Sequence, residues 1–361
     1  MSSKIVIETP AIAKIGNKFA ELGRQKKVVV LYDKNTAGLF EKSISEQLEK
    51  DGFIFHNLIV PASEASKSFR MAYRLYGEML EREVDRSWSV VAVGGGVVGD
   101  LGGFIAASFM RGVPVVQVPT TLLAMTDSAI GGKVAINHPM GKNMIGFFHE
   151  PVLILIDPNY LRTLPNREIF GGLAEVLKYA LILDGSFLDF MEDNFQEIST
   201  LVSPYIDEAV KRSVNAKVKV VTEDFRETTG LRAILNFGHT FGHSLEKLSN
   251  YKALRHGEAV LVGMACATQL SMKIGNISSE DAERICAMIQ KFPYPKRLIK
   301  KYFLDVAPET IIENMRSDKK KEGKHIRFAL LKRIGNAYLH REEIAKEDII
   351  FAIEAAKPLF A

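Results

Sequence analysis

The sequence predicts an α/β domain with a mainly parallel sheet, followed by a mostly α-helical domain. Over the first ~150 residues, strand-like apolar segments alternate with helix-like segments, which is the pattern of a parallel α/β sheet. After about residue 160 the strand pattern fades, and long helical patterns take its place. We therefore place the boundary near Asp157–Leu161 and expect domains at 1–159 and 160–361.

Each element is predicted by a separate segment of the chain. Apolar, β-branched segments predict strands at 4–8, 26–33, 53–60, 87–95, 114–120 and 152–157. Helix-like patterns at 40–50 and 66–83 lie between them. In the second domain, helical patterns cover 171–183, 203–221, 234–248, 257–275 and 279–292. A late pair of segments, 325–331 and 335–340, predicts a β-hairpin.

The composition excludes several classes of protein. The 361 residues are 47% hydrophobic and 25% charged, which is ordinary for a globular chain of two domains. No apolar run approaches the roughly 18–20 residues of a membrane span, and no signal peptide opens the sequence. Cys266 and Cys286 are too few for a disulfide framework or a thiolate metal site. We therefore expect a cytoplasmic protein that does not bind membranes. We also expect no binding to nucleic acid, because the net charge of +4 is spread along the chain.

The segment SVVAVGGGVVGDLGGF has the pattern of a strand, a glycine turn and a helix. Gly94, Gly96 and Gly99 satisfy the motif G-x-G-x-x-G in that context. Such a turn lets backbone N–H groups approach a phosphate, and the helix N-terminus adds a favourable dipole. The motif favours a Rossmann-like dinucleotide site, with close packing of the turn as the alternative. The usual acid about 20 residues further on is replaced by QVPTT, whereas Asp33 ends an earlier strand.

Two histidines, His239 and His243, stand four residues apart in a helical pattern and so share one helix face. Asn236 and Glu246 extend the same face, and His256 lies at the predicted start of the next helix.

A carboxylate completes the candidate metal site. On an earlier predicted helix, Glu175 lies three residues before Lys178. Two histidines and a glutamate with an open position form a familiar catalytic zinc site. The alternative is that the histidines cap helices or satisfy hydrogen bonds in the core. The spacing alone leaves open which of His239 and His243 binds the metal.

Cations in apolar, glycine-rich surroundings indicate an anionic substrate. The segment 127–143, which has the composition of a loop, contains Asp127, Lys133, Lys142 and Asn143. Further cations are Arg111, Lys178, Lys217, Arg232 and the lysines of the run 318–321. Cations that converge with a metal favour a substrate with more than one negative charge, such as a phosphate and a carboxylate. A solvated surface is the alternative for most of these lysines.

Together these motifs resemble the 3-dehydroquinate synthases, a family of sugar-phosphate cyclases. The resemblance runs from about residue 27 to about residue 335 and is densest at GGGVVGDLGGF, GGKVAINHPMGKN, GGLAEVLKYALI, NFGHTFGHSLE and RHGEAVLVGM. It implies a lyase of the shikimate pathway, which leads to chorismate and the aromatic amino acids. The reaction implied converts 3-deoxy-D-arabino-heptulosonate 7-phosphate to 3-dehydroquinate and phosphate without net oxidation. The resemblance also implies a homodimer with its active site in the interdomain cleft.

The resemblance also implies roles for individual residues. Zinc or cobalt would be held by Glu175, His239 and His256, while His243 would contact the substrate and assist proton transfer. NAD would be bound by Asp33, Asn35, Glu64, Lys67, Gly95, Gly96, Val97, Gly99, Asp100, Thr120, Thr121, Lys133, Lys142, Thr163 and Leu164. The substrate would be surrounded by Lys133, Lys142, Asn143, Lys178, Lys217, Arg232 and Asn236, with Asp127 where cofactor and substrate meet. One of Lys319 and Lys320 would approach the phosphate, and Arg111 would reach the site of the neighbouring subunit.

Two segments depart from the family pattern. ASEASK keeps Glu64 and Lys67 but loses an acid and a glycine. DFRETTGLR is one residue longer than usual, with Phe225 in place of an acid, which leaves the role of Glu227 open and retains Arg232.

Three alternative functions follow from the same residues. A related cyclase would make another ring from another sugar phosphate, but the GGK…GKN lysines favour a dehydroquinate synthase. A metal-dependent polyol dehydrogenase would share the two-domain plan and release NADH. A degenerate binding protein would have a broken metal triad, whereas Glu175, His239 and His256 are all present.

Overall fold

The computed structural model describes residues 3–319 and 325–361, with residues 317–319 described by their backbone only. The chain forms two compact units. The first unit contains Met1–Ile169 and Ile206–Val218, and the second contains Phe170–Tyr205 and Lys219–Ala361. The sequence placed the division ten residues earlier and did not anticipate that residues 206–218 would join the first unit.

The first unit is built on a parallel sheet. Its strands are β1 (Lys4–Ile7), β2 (Lys27–Asp33), β3 (Ile54–Val60), β4 (Ser89–Gly94), β5 (Val115–Pro119) and, after a hairpin of β6 (Lys133–His138) and β7 (Gly141–Phe148), β8 (Leu153–Ile156). The sheet has the order β1-β8-β5-β4-β2-β3, and every neighbouring pair is parallel. This confirms the predicted fold class of the N-terminal part.

Helices cover both faces of this sheet. They are α1 (Ile15–Glu21), α2 (Lys34–Lys50), α3 (Phe69–Glu81) and α4 (Gly96–Ser108). Phe40 and Ile44 of α2 pack with Val28 and Val30 of β2 in one core. Helices α3 and α4 pack with the alternate residues of β2 in the other core. Successive residues of β2 are therefore buried against helices on opposite faces of the sheet, as expected for a strand of a parallel α/β sheet.

The order of the strands creates a switch point between β2 and β4. The chain leaves β2 through α2 towards β3 on one side, and returns through α3 to β4 on the other side. In open α/β sheets, ligands bind outside the carboxyl ends of the strands at such a point. The glycine turn follows β4, so it occupies this position although it is not in the first βα unit.

The segment 127–143 was predicted to be a loop, and this prediction was wrong. The segment forms one π-helical turn at Ala124–Ser128 and then most of the antiparallel hairpin β6–β7. Glycines at both ends and the Pro139–Met140 turn hide the strand pattern, and almost all of β7 is exposed. Lys133 therefore begins a strand, and Lys142 and Asn143 lie on its partner.

The second unit is mainly helical. Its helices are α5 (Asn166–Leu183), α6 (Gly185–Asp193), α7 (Phe195–Ser199), α8 (Tyr205–Glu223), α9 (His239–Leu248), α10 (His256–Lys273), α11 (Ser279–Gln290), α12 (Lys296–Ile299), α13 (Pro308–Lys319) and α14 (Lys346–Ala356), of which α5 and α8 begin in or pass through the first unit. The predicted hairpin forms between β9 (Phe328–Arg333) and β10 (Asn336–His340). Among the described residues, no helix is long and apolar enough to cross a membrane.

One helix boundary differs from the prediction. The pattern 234–248 was predicted as one helix with Asn236 on the histidine face, but α9 begins only at His239. Gly238 has a φ of 79°, and Asn236 ends a separate 3₁₀ turn at Leu231–Asn236. A glycine in the left-handed region interrupts the helix because that conformation has no steric cost without a Cβ.

Candidate active site

The glycine turn brings α4 very close to the sheet. A Cβ at Gly99 would lie 2.9 Å from Oε1 of Gln117 on β5, and one at Gly102 would lie 2.7 Å from Cβ of Ala92 on β4. Gly95 and Gly96 face Thr121 and Ser128, at 3.0 and 3.2 Å from a Cβ. The glycines thus serve packing as well as access. The first turn of α4 keeps its backbone N–H groups at the carboxyl edge of the sheet, where a phosphate would bind.

Other predicted NAD residues lie at the same edge of the sheet. Tyr32 pairs with Val93, so Asp33 ends β2 beside the glycine turn, where its carboxylate caps α2 by accepting from the N–H groups of Asn35 and Thr36 at 2.9 Å. Thr120 follows β5 and donates its N–H to the Gly94 carbonyl at 3.0 Å. The carboxyl ends of β2, β4 and β5 are therefore adjacent. Val97 and Thr121 adjoin them, and Thr163 and Leu164 close a 3₁₀ turn after β8.

A buried lysine links three predicted residues of the first unit. Nζ of Lys67 lies 2.5 Å from both Oδ2 of Asp100 and Oδ1 of Asn143. Burial raises the pKa of Asp100, and the Lys67 charge opposes this shift. Glu64 joins the network because it accepts from the side chain of Asn137 at 2.7 Å. The departure ASEASK therefore retains a connected structure, which ties the 64–67 segment to the β6–β7 hairpin.

A second ion pair forms between predicted substrate residues of the first unit. Nζ of Lys217 on α8 donates to the carbonyl oxygen of Asp127 at 2.6 Å and to its carboxylate at 2.5 Å. Lys217 is buried, and this pair is one of the contacts that join residues 206–218 to the rest of the first unit. Lys133 and Lys142 lie on the exposed hairpin, and Arg111 is exposed with a φ of 69°.

In the second unit, two glycine contacts bring three helices together. A Cβ on Gly263 of α10 would lie 2.0 Å from the carbonyl oxygen of Gly238, directly before α9. A Cβ on Gly257, near the start of α10, would lie 2.1 Å from the carbonyl oxygen of Gly171 on α5. Glycine at positions 257 and 263 therefore lets the helices that carry Glu175, His239 and His256 come into backbone contact, which a larger residue would prevent.

Glu175, His239 and His256 converge on one point. Oε1 of Glu175 lies 3.5 Å from Nε2 of His239 and 3.3 Å from Nε2 of His256. Glu175 is fully buried, and Nζ of Lys178 lies 2.5 Å from its Oε2. One donor atom of each ligand falls within 4.8 Å of the others, and a His₂Glu set of this kind fits Zn²⁺ or Co²⁺.

The two ring nitrogens of His239 and His256 have different surroundings. Nδ1 of His239 is 3.1 Å from the Phe237 carbonyl oxygen, and Nδ1 of His256 is 3.3 Å from Oε2 of Glu246. Burial lowers the pKa of His239 to about 3, although Glu175 raises it. Burial also opposes the charge on His256, but Glu175 and Glu246 outweigh it and raise that pKa to about 10. In the metal-free chain, His239 is therefore neutral and His256 is protonated at pH 7.

His243 differs from His239 in its exposure and its contacts. Its side chain is 45% exposed, and its Nε2 lies 4.0 Å from Oε2 of Glu246. A second possible ligand set, His243 with Glu246 and His256, also satisfies the 4.8 Å limit. Glu175 belongs only to the first set. Of the described residues in these two sets, it is the one whose side chain is fully buried.

A cavity of about 190 Å³ adjoins this cluster within the second unit. Its lining includes Asn236, His239, His243, Lys247, Asn314 and Arg327. Asn236 thus lines the same cavity as the histidines, although it does not lie on their helix. The sequence reasoning did not single out Lys247 or Arg327, whose only signal was a positive charge near a predicted helix end or strand.

Arg232 is held by a loop that the sequence reasoning assigned only in part. Its Nη1 donates to the Phe225 carbonyl at 2.8 Å, and its Nε lies 3.5 Å from Oε1 of Glu227. Asp224, which was not singled out, accepts from the backbone N–H groups of Thr229 and Arg232 at 3.1 Å. Burial acts to raise the pKa of Asp224, but these hydrogen bonds lower it to about 2. Lys319 and Lys320 were predicted to approach a phosphate, but the side chain of Lys319 and all of Lys320 lie outside the described residues.

Comparisons with solved structures show which proteins have a similar fold. The fold resembles 2-epi-5-epi-valiolone synthase from Streptomyces hygroscopicus, with NAD⁺ and Zn²⁺ bound, at a TM-score of 0.86 and 25% identity, covering 99% of this chain and 97% of that one. It also resembles a 2-deoxy-scyllo-inosose synthase complexed with carbaglucose-6-phosphate, NAD⁺ and Co²⁺, at a TM-score of 0.84 and 23% identity, covering 97% and 96%. A probable glycerol dehydrogenase from Sinorhizobium meliloti has a TM-score of 0.68 at 16% identity, covering 99% and 97%. By fold, the chain therefore groups with the NAD-dependent sugar-phosphate cyclases.

The sequence comparisons then give the family. The model for the 3-dehydroquinate synthase N-terminal region matches residues 57–171, and the model for the C-terminal region matches 172–321. The 3-dehydroquinate synthase of Chlorobium chlorochromatii is 55% identical over 99% of this chain and 98% of its own length. That of Desulforamulus reducens is 42% identical over 98% and 96%. The chain belongs to the 3-dehydroquinate synthase family.

Proposed function

We propose that the chain uses NAD and a divalent metal ion to convert 3-deoxy-D-arabino-heptulosonate 7-phosphate to 3-dehydroquinate and phosphate. The observation that carries this proposal is the convergence of Glu175, His239 and His256 in a chain more than half identical to 3-dehydroquinate synthases. Both cofactors fit the described residues. The ligand set is that of a catalytic zinc or cobalt site, and the glycine turn presents the first-turn N–H groups of α4 at the switch point of the sheet.

The protein itself supplies binding, orientation and charge. When bound, the ion would act as a Lewis acid, and NAD⁺ would take up and return a hydride. Glu175, His239 and His256 would hold the ion, and the charge of Lys178 balances the buried carboxylate. His243 projects into the cavity, where its imidazole contacts the substrate and assists proton transfer.

The substrate carries a phosphate and a carboxylate, so it requires several cations. We assign its binding to the residues that the family resemblance implies, namely Lys133, Lys142, Asn143, Lys217, Asp127, Lys178, Arg232 and Asn236. Lys217 is held by Asp127, and Arg232 by the 224–232 loop, so both are oriented before substrate binds. Side chains that are already oriented lose little conformational freedom when the substrate binds, which lowers the entropic part of the barrier.

The test is a multiple-turnover assay in which one reaction mixture is followed by three readouts. The purified chain is incubated with the heptulosonate phosphate, NAD⁺ and Co²⁺, while phosphate, dehydroquinate and NADH absorbance are followed together. The proposal predicts phosphate and dehydroquinate in equal amounts, with no accumulation of NADH. Oxidation of a simple polyol with stoichiometric NADH, and no phosphate release, would instead establish a polyol dehydrogenase.

We also propose a homodimer, formed through exposed apolar residues of the β6–β7 hairpin. Met140, Met144, Ile145, Phe147 and Phe148 are all at least 40% exposed there. Apolar residues grouped in this way mark interaction surfaces. Arg111 adjoins exposed Met110 and would complete the partner's site. Analytical ultracentrifugation should give twice the chain mass for the wild type and for L39E, on the opposite face of the sheet, but a monomer for M144E, whose side chain is 51% exposed. A monomeric wild type would refute the dimer.

The compartment follows from the pathway. We propose the cytoplasm, where a biosynthetic enzyme of this family has access to NAD, and where Cys266 and Cys286, both buried and free, stay reduced.

A further inference from the structure

We propose that Glu246 is a positioning residue of the metal site, which holds the imidazole of His256 so that its Nε2 faces the ion. This inference deepens the proposed metal site and therefore rests on it. Glu246 lies on α9, seven residues after the proposed ligand His239 and three after His243. It is outside the proposed triad, although it belongs to the alternative ligand set with His243 and His256.

The geometry of the His256 ring carries the proposal. Its Nε2 faces Oε1 of Glu175 at 3.3 Å, and its Nδ1 faces Oε2 of Glu246 at 3.3 Å. An N–H at Nδ1 that donates to Glu246 leaves the lone pair of Nε2 for the ion. Metal-binding histidines commonly donate their second N–H to a carboxylate or a carbonyl, which sets the tautomer and the ring orientation.

The other histidine of the proposed triad has the same arrangement. His239 places Nδ1 3.1 Å from the Phe237 carbonyl oxygen and Nε2 towards Glu175. Both rings therefore present the same nitrogen to the ion and the same nitrogen to an acceptor. They differ in that His239 uses a backbone oxygen beside its own helix, whereas His256 uses a side chain from another helix.

His256 needs this support more than His239 does. Its side chain is 32% exposed against 11% for His239, so packing restrains its ring less. Glu246 is itself only 7% exposed. Its backbone carbonyl accepts from the Ser249 hydroxyl at 2.9 Å and the Tyr251 N–H at 2.7 Å, which fixes the end of α9. A carboxylate on such a rigid support is suited to orient a neighbouring ring.

The test measures metal affinity separately from turnover. Metal-free protein is titrated with Co²⁺ against a competing chelator, and the visible absorption bands of the bound ion are recorded. E246A should bind Co²⁺ about 10–100-fold more weakly, the usual loss when such a partner is removed. E246Q keeps an oxygen acceptor and should recover most of the affinity, with the same absorption bands as the wild type.

A matched control separates positioning from stability. Glu258 is also 7% exposed and lies near the start of α10, where its carboxylate accepts from the N–H of Arg255 at 2.9 Å. E258A removes a helix cap but leaves the His256 ring its partners, so it should lower the unfolding midpoint with a smaller loss of Co²⁺ affinity than E246A.

Each other outcome overturns the inference in a recognisable way. Wild-type affinity in E246A, or an equal loss in E258A, removes the positioning role. An E246Q variant with altered absorption bands would make Glu246 a ligand itself. If H256A binds Co²⁺ as the wild type does, the proposed metal site fails, and not only the role of Glu246.

Discussion

Replacement of Gly257 by alanine tests how the helices assemble the metal site. The new Cβ would lie 2.1 Å from the carbonyl oxygen of Gly171, 2.5 Å from its Cα and 2.6 Å from its carbonyl carbon. Ordinary contacts begin near 3.4 Å, and all three atoms belong to backbone, which cannot rotate away. The start of α10 must therefore move from α5 by about 1 Å, and His256 must move with it.

The magnitude follows from two opposing terms. Overpacking typically costs about 1–3 kcal/mol. Alanine in place of glycine contributes up to about 1 kcal/mol to a helix, and less at its first turn. We expect G257A to lower the free energy of unfolding by about 1–2 kcal/mol. It should weaken Co²⁺ binding by at least about tenfold, since metal sites tolerate displacements of only about 0.5 Å.

The control is the other glycine of the same contact. A Cβ at Gly171 would meet no described atom within 4 Å. G171A should therefore be neutral or up to about 1 kcal/mol more stable, with unchanged Co²⁺ affinity. Urea unfolding of the metal-free proteins and Co²⁺ titration provide both measurements. If G257A matches G171A in stability and in affinity, the close approach of α5 and α10 does not exist.

Further predictions concern protons, a buried ion pair and a surface lysine. Because the pKa of metal-free His256 is raised to about 10, an incoming ion must displace its proton. Co²⁺ affinity should thus rise about tenfold per pH unit from about pH 7 to 9, with one proton released, and a flat profile would contradict this. K67M leaves the partly buried carboxylate of Asp100 without its cation and should lower the free energy of unfolding in urea by about 2 kcal/mol; the double variant K67M/D100N should recover part of this loss, and a K67M protein as stable as the wild type would contradict the prediction. K142A, on the exposed hairpin, should lose turnover while its unfolding midpoint stays within a degree or so, and an equal loss of both would favour a packing role.

Much of the fold follows from local patterns. The strands of the sheet begin and end within about two residues of their predicted bounds, because buried parallel strands are continuous apolar runs that stand out against amphipathic helices. The β6–β7 hairpin was missed for the opposite reason. Its second strand is largely exposed, so its residues Gly141–Phe148 show no alternation of buried and exposed positions within the chain.

The candidate site was predictable only in part. Helical spacing shows that His239 and His243 share a face, but not which of them meets Glu175. That choice depends on how α5, α9 and α10 pack, which involves contacts between residues far apart in the chain, such as Gly257 with Gly171, 86 positions away, and no local pattern contains them. The surroundings of Arg232 were not predicted either, because the longer segment DFRETTGLR gave no sign that Asp224 accepts from the backbone N–H groups of Thr229 and Arg232.

Equilibrium dialysis of Co²⁺ against single variants tests the central claim most directly. The wild type and H243A should each bind one ion per chain, because His243 is half-exposed and lies outside the proposed triad. E175Q, H239A and H256A should bind none at the same ion concentration. A protein that keeps its ion in H239A and loses it in H243A would show that the ion lies in the other cluster, with Glu246 and His256, and that the triad proposed for the metal is wrong.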